Sequence, residues 1–237
     1  EGTDKKVFEL KVIGLEDCRY FRIGKTEHIF GVSYEHVGNS NLTMVSYELV
    51  DEKENKIGTK PVIMKTRNRC EKNWLPVVET NAKDANEVKF IHSLSPTRMV
   101  ELVGKNKGVK TIYEQTCNFD DERGSTIIDF NYQGMDGYLV LTHRVIFLSS
   151  RIYLSRFFFL NKQYQTLAAS NYFYFLHVGI EYCLGCARNT KGEIVFGVSK
   201  TDKETFVVTV PELNIISMLY EVEKSQLKDE EAGYITE

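Results

Sequence analysis

The feature that most constrains this sequence is a succession of short runs rich in β-branched and aromatic residues. The runs cover residues 6–13, 42–50, 61–66, 87–92, 98–103, 109–117, 125–132, 138–148, 152–160, 171–183, 193–200 and 205–210. Clusters of Gly, Asn, Asp and Lys separate many of them, as at 104–108, 134–137 and 189–192. Short strand-like runs at regular spacing, divided by turn residues, are typical of an antiparallel barrel or sandwich. The sequence therefore predicts an all-β fold.

Alternation within the runs predicts which residues share a face of a sheet. Apolar and polar residues alternate most clearly at 45–49, 128–132, 172–182 and 194–198. Because side chains of a strand point to opposite faces in turn, each apolar set lies on one side. The long run places Tyr172, Tyr174 and Tyr182 together. In a sandwich such tyrosines fill a core, and in a barrel they line a cavity for a small molecule.

A single helix is predicted near the carboxyl terminus. Pro211 suits a first helical turn, and Leu213, Ile216 and Leu219 recur at three-residue spacing. We expect this helix over about 211–227, followed by an acidic, frayed tail over 228–237. Since no convincing linker interrupts the chain, a single domain over 1–237 is predicted.

Length and charge exclude several classes of protein. The chain has 237 residues and a net charge of −3, so it lacks the excess of basic residues with which nucleic-acid binders neutralise phosphates. No run approaches the roughly 18 uninterrupted apolar residues of a membrane span. We therefore expect no nucleic-acid partner and no transmembrane segment.

Three features together favour the secretory or vacuolar pathway. The chain begins at Glu1 rather than Met, which is consistent with a removed signal peptide, and residues 41–43 form one N-glycosylation sequon. The five cysteines are Cys18, Cys70, Cys117, Cys183 and Cys186. We expect a secreted or lumenal protein with disulfide bonds.

Motifs for catalysis are scarce. The sequence contains no Gly-rich phosphate loop, no Gly-x-Ser-x-Gly elbow and no His-Glu-x-x-His, and its histidines are scattered, so no catalytic or metal-ligating residue is nominated. Cys183 and Cys186 have C-x-x-C spacing, which we interpret as disulfide anchors to Cys18, Cys70 or Cys117 rather than as a redox pair or half a zinc site. The acidic run 120–122 is interpreted as a solvated turn. The chain is not expected to be an enzyme.

The order of segments resembles the lipocalins, within the calycin superfamily. Residues 31–35 resemble the Gly-x-Trp-Tyr-Glu signature, with Ser33 in place of its tryptophan. Residues 171–183 resemble the family's tyrosine-rich strand that ends in a cysteine. Residues 193–201 are similar to its last barrel strand, with Lys200 in place of the usual arginine.

The resemblance implies an up-and-down, eight-stranded barrel with a C-terminal helix and loop insertions. It implies a protein that binds, carries or sequesters a hydrophobic small molecule such as a lipid, retinoid, sterol or tetrapyrrole. No cofactor is then required beyond a bound lipid or haem-like ligand, and a homo-oligomer is compatible with this function. The inner wall would be formed by Val45, Tyr47, Phe130, Tyr132, Tyr172, Tyr174 and Phe196.

Two other functions remain open on the sequence. A secreted β-sandwich with a filled core would act as a protein–protein interaction module. An enzyme would be a calycin-type isomerase or a redox protein that uses Cys183 and Cys186.

Overall fold

The structure, a computed structural model, describes residues 16–23, 26–33, 43–50, 56–57, 62–63, 72–77, 89–103, 108–120, 122–223 and 227–228. In these residues the chain is mostly β-strand, arranged in four antiparallel sheets with one short helix. The predicted all-β class is confirmed. None of the four sheets closes on itself in this part of the chain, so the predicted eight-stranded barrel is wrong.

The chain divides into two compact units. The first comprises Glu1–Lys72, Val78–Glu87 and Leu102–Val109, and the second comprises Asn73–Val77, Val88–Glu101 and Lys110–Glu237. Whether these two units form the single domain predicted over 1–237 is not decided by this division, and the single domain stays a prediction.

The first unit contains a sheet built from β1 to β5. These strands are β1 (Glu16–Ile23), β2 (Thr26–Ser33), β3 (Thr43–Val50), β4 (Lys56–Ile57) and β5 (Val62–Ile63). Strands β1, β2 and β3 pair in chain order, and β4 and β5 pair with the other edge of β3. Phe21, Phe30, Val32, Met44 and Val45 are buried. The ring of Phe21 lies edge-on to Phe30 at 6.2 Å between centroids.

The second unit contains three sheets, each of which begins as a meander in chain order. Their strands are β6 (Leu75–Val77), β7 (Lys89–Leu94), β8 (Thr97–Val103), β9 (Gly108–Cys117), β10 (Arg123–Tyr132), β11 (Met135–Phe147), β12 (Arg151–Asn161), β13 (Thr166–Ala169), β14 (Glu181–Arg188), β15 (Ile194–Lys200) and β16 (Glu204–Val210). Two short strands, β17 (Tyr220–Glu221) and β18 (Leu227–Lys228), pair with β13 and β9.

The three meanders pack through their first strands. Strand β10 lies beside both β6 and β14. This packing brings the beginnings of the three strands together.

The sheet of β10 to β13 is buried on both faces. Leu139, Leu141, Phe157 and Phe159 pack on one face in a cluster with Phe196 and other residues of β14, β15 and the helix. Tyr138, Val140, Phe158 and Leu160 pack on the other face with residues of β6, β7 and β8. Side chains that alternate between two apolar surroundings explain the nearly continuous apolar runs in β11 and β12.

The helix is shorter than predicted. Helix α1 covers Glu212–Met218, follows Pro211 and buries Ile215, which lies inside the predicted range of 211–227. At Tyr220 the chain has already joined β13 as β17. No helix in the described ranges is both long and apolar enough to cross a membrane.

The long strand predicted over 171–183 is wrong for most of its length, because residues 171–180 contain only one isolated bridge, from Phe173 to Ser155. The buried carboxylate of Glu181 accepts hydrogen bonds from the backbone N–H groups of Phe175, Leu176 and His177 at 2.5, 2.8 and 3.2 Å. The carboxylate replaces a strand ladder as their partner, and β14 begins only at Glu181.

Gly137 of β11 allows the backbone of β12 and the ring of Phe159 to approach closely within the sheet of β10 to β13. A Cβ atom at this position would lie 2.2 Å from the carbonyl oxygen of Leu160 and 2.6 Å from the ring of Phe159. Gly137→Ala should therefore lower the unfolding free energy by about 2–3 kcal/mol in urea titrations. Gly185→Ala is the matched control, since a Cβ there meets nothing within 4 Å. Equal losses in the two variants would contradict the packing described here.

Candidate functional site

Polar side chains gather where the first strands of the second unit begin. Asn73 precedes β6, Glu122 precedes β10, and Tyr182 is the second residue of β14. The Tyr182 hydroxyl donates to Oδ1 of Asn73 at 3.1 Å. A Cβ on Gly124 would lie 2.7 Å from the carbonyl oxygen of Asn73, so the chain before β6 directly abuts the start of β10. These contacts place the three strand starts at one end of the unit.

Glu122 is a deeply buried carboxyl group at this end. Its side chain is 0% exposed. The Thr142 hydroxyl donates to Oε2 at 2.7 Å, and the Tyr172 hydroxyl donates to Oε1 at 2.6 Å. Nη1 of Arg156 lies 3.7 Å from Oε1. Strand register builds this arrangement, because Gly124, Thr142 and Arg156 are directly opposite one another on β10, β11 and β12.

Burial raises the pKa of Glu122 above its ordinary value. Hydrogen bonds from Tyr172 and Thr142 and the charge of Arg156 oppose this shift, whereas the nearby charge of Asp120 adds to it. A carboxyl group that keeps its proton to higher pH than usual suits the role of a general acid.

The guanidinium of Arg156 makes hydrogen bonds and aromatic contacts in several directions. Its Nε donates to the carbonyl oxygen of Ser170 at 2.7 Å, and its Nη2 donates to the Tyr220 hydroxyl at 2.8 Å. The guanidinium also lies over the rings of Phe119 and Tyr172, at 4.9 Å from each centroid. This cation is fixed in position beside Glu122 and has little freedom to move toward another group.

Asp120 supplies a second carboxylate that faces solvent. Its side chain is 51% exposed and pairs with Arg144. The Tyr172 hydroxyl lies 3.5 Å from Oδ2 of Asp120, so one phenol reaches both an exposed and a buried carboxyl group. Burial and the nearby Glu122 raise the pKa of Tyr172, so its hydroxyl stays protonated and can donate to either carboxyl group. The arrangement can exchange a proton between the exposed carboxylate of Asp120 and the buried carboxyl of Glu122 through the hydroxyl of Tyr172.

A buried serine–histidine pair lies next to this group. Oγ of Ser125 and Nδ1 of His143 are 2.9 Å apart. The imidazole lies edge-on to Tyr182, at 4.8 Å between centroids, and stacks on Tyr153. These rings fix the histidine and connect the candidate site to β14.

The structure describes the side chains of six of the seven predicted ligand-wall residues. Phe130, Tyr132 and Phe196 belong to one filled core cluster of the second unit. Val45 is buried in the first unit, and Tyr174 is half exposed. The side chain of Tyr47 lies outside the described residues. Tyr172 is the predicted wall residue that reaches the candidate site, where it contacts Glu122.

The second cysteine of the C-x-x-C motif lies in surroundings that disfavour the thiolate. Cys186 is a free thiol that accepts a hydrogen bond from Thr126 at 3.4 Å, and burial raises its pKa to about 11. Cys117 is also a free, buried thiol, so the disulfides predicted through these two residues are not formed. Cys70 lies outside the described residues. Among the residues that the structure describes, no three His, Cys, Asp or Glu side chains are grouped to hold a metal ion.

The acidic run 120–122 is not the solvated turn that the sequence predicts. Asp120 is exposed, but Glu122 is buried and hydrogen-bonded from β11 and from Tyr172. Asp121 lies outside the described residues. One signal is present in the sequence, namely three acidic residues directly before a strand that starts with Arg123, Gly124 and Ser125.

Comparison with known proteins identifies a similarity in structure but none in sequence. No protein-family model matches the chain, and no curated protein matches it in sequence. The fold is similar to that of MPT-1, a GDP-Man-dependent mannosyltransferase from Leishmania mexicana, with a TM-score of 0.51 and 10% sequence identity. The match covers 83% of this chain and 68% of that chain.

This similarity overturns the functional predictions made from sequence. A solved structure with a similar fold is an enzyme, so the prediction of a non-enzymatic carrier of hydrophobic ligands is corrected, and the alternative of a protein–protein interaction module is not supported. The lipocalin and lipid-binding descriptions lose their support as well. The secretory location and the absence of a required cofactor stay predictions.

The raised pKa of Glu122 makes stability depend on pH in a definite direction. The folded chain holds this proton more tightly than the unfolded chain, so the contribution to stability is fully present below the ordinary pKa of 4.5 and is lost as pH rises through the folded pKa. Glu122→Gln removes this titration. The unfolding free energy of the variant minus that of the wild type should therefore increase from pH 4.5 toward neutrality, as measured by urea titration at each pH. A difference that stays flat or falls would contradict the assignment.

Proposed function

We propose that this chain is an enzyme that transfers a glycosyl group, with its site at Asp120, Glu122, Arg144, Arg156 and Tyr172. The observation that carries the proposal is the single phenol of Tyr172 within reach of one buried and one exposed carboxyl group. Paired carboxyl groups in different environments are the usual equipment for acid–base chemistry at an anomeric carbon. The similarity of fold to a mannosyltransferase supports the same class of reaction.

The proton balance of glycosyl transfer fits this arrangement. The bond from the anomeric carbon to the leaving oxygen breaks, and a bond to the acceptor oxygen forms. The hydroxyl of Tyr172 gives its proton to the leaving oxygen and takes one in turn from the neutral, buried carboxyl of Glu122, while the carboxylate of Asp120 takes the proton of the acceptor hydroxyl. The hydroxyl of Tyr172 then passes a proton from Asp120 back to Glu122, which restores both groups.

The two arginines have different roles because their freedom differs. Arg156 is engaged by Glu122, Ser170 and Tyr220, and its charge limits how far burial raises the pKa of Glu122. Arg144 is 36% exposed and pairs with Asp120. It is therefore the cation placed to contact an anionic leaving group, such as the diphosphate of a sugar nucleotide.

Turnover of sugar donors tests the proposal. The protein is incubated with GDP-mannose and other sugar nucleotides together with simple sugar acceptors, and release of the nucleotide and the mass of the product are measured. Asp120→Asn and Glu122→Gln should each lower kcat roughly 100-fold or more, which is the usual contribution of a general acid or base.

Asp129→Asn is the matched control, because Asp129 is an exposed carboxylate of β10 whose ion pair is with Lys162, outside the site. Its turnover should equal that of the wild type. Absence of turnover with every donor, or equal turnover in all three variants, would overturn the proposal.

A further inference from the structure

Strand β16 forms an edge of its sheet without the features that usually protect edges. Among the described residues it pairs only with β15, through seven consecutive residue pairs from Lys200–Glu204 to Ile194–Val210. The register contains no bulge, and the strand contains no proline or lysine, with Glu204 at its first position as the one charged residue. Natural sheets protect exposed edges with such charges, prolines and bulges. An unprotected regular edge of this length is a template for another strand.

Each face of this edge carries one exposed apolar side chain. Val207 is 74% exposed and Phe206 is 36% exposed, and they point to opposite faces of the sheet. The sheet of β14, β15 and β16 has three strands in the described residues, whereas the other two sheets of the unit have five. A further strand beside β16 would cover these side chains and satisfy the outward backbone groups.

We propose that the partner of β16 is β16 of a second copy of this chain, paired antiparallel about a twofold axis at Val207. This register is self-complementary. It places Thr205 opposite Thr209, Phe206 opposite Val208, and Val207 opposite its own copy. Threonine pairs and aromatic–β-branched pairs are among the cross-strand pairs that stabilise sheets.

Charge favours the antiparallel direction. In a parallel pair the two Glu204 carboxylates would lie side by side and repel. In the antiparallel pair each Glu204 lies opposite Val210 of the other copy, so the two carboxylates are at opposite ends of the ladder. A twofold contact of this kind uses both edges and closes, so it makes a dimer rather than a fibre.

The mass of the protein in solution tests this proposal, which does not depend on the proposed enzymatic function. Light scattering after size-exclusion chromatography, over a wide concentration range, should give twice the chain mass of 27.3 kDa for the wild type. Val207→Lys should give the mass of one chain, because two lysines would face each other at the axis. Phe147→Lys is the control, since Phe147 is 75% exposed on β11, away from this edge, and the variant should remain dimeric.

A cross-link tests the register itself. Directly opposite Cβ atoms in an antiparallel pair lie about 4.5–5.5 Å apart, near enough for a disulfide after small adjustments. Val207→Cys should form a covalent dimer under mild oxidation faster than Phe147→Cys, with the linked peptide identified by mass spectrometry. Circular dichroism checks that each variant is folded.

Three outcomes would overturn the proposal. A wild type that is monomeric at all concentrations would show that no second copy uses the edge, whether or not another part of this chain covers it. A dimer that folded Val207→Lys leaves intact would place the interface elsewhere. A Val207→Cys variant that links no faster than the control would exclude the twofold axis at Val207.

Discussion

The ladder of β10, β11 and β12 is the constraint on which the rest of the second unit depends. Its register sets Gly124, Thr142 and Arg156 directly opposite one another, and the same register alternates the side chains of β11 and β12 between two apolar clusters. A slip of one residue would exchange the two faces of a strand. It would move Arg156 away from Glu122 and exchange Phe157 with Phe158 between two differently shaped surroundings. Packing and chemistry are therefore specified by one set of backbone hydrogen bonds.

Local signals predicted the strands of this ladder well. The runs at 125–132, 138–148 and 152–160 correspond closely to β10, β11 and β12, because strand propensity and turn residues act over a few neighbours. The arrangement of sheets was not accessible in the same way. Whether meanders close into a barrel or pack through their first strands depends on contacts between distant segments, and the lipocalin resemblance supplied an arrangement that the structure does not show.

The candidate site was missed for a related reason. Glu122 looks like part of a solvated turn until Thr142 and Tyr172, which lie 20 and 50 residues further along the chain, are placed against it. Tyr172 was singled out by its alternation with other tyrosines, but the alternation predicted a strand. The carboxylate of Glu181 accepts hydrogen bonds from the backbone of 175–177 and takes the place of a neighbouring strand. The alternation of apolar and polar residues along the sequence gives no sign of this contact. Long-range polar contacts of this kind leave almost no local trace in a sequence.

The bond between Arg156 and Tyr220 has a consequence for the order of events during synthesis. Arg156 lies in β12, but one of its partners is Tyr220 in β17, which follows the strands β13 to β16 and helix α1 in the chain. On a ribosome the ladder of β10 to β12 emerges well before Tyr220 does. A nascent chain therefore carries Glu122 beside an arginine that is not yet fully restrained, and the candidate site is completed only when β17 docks on β13.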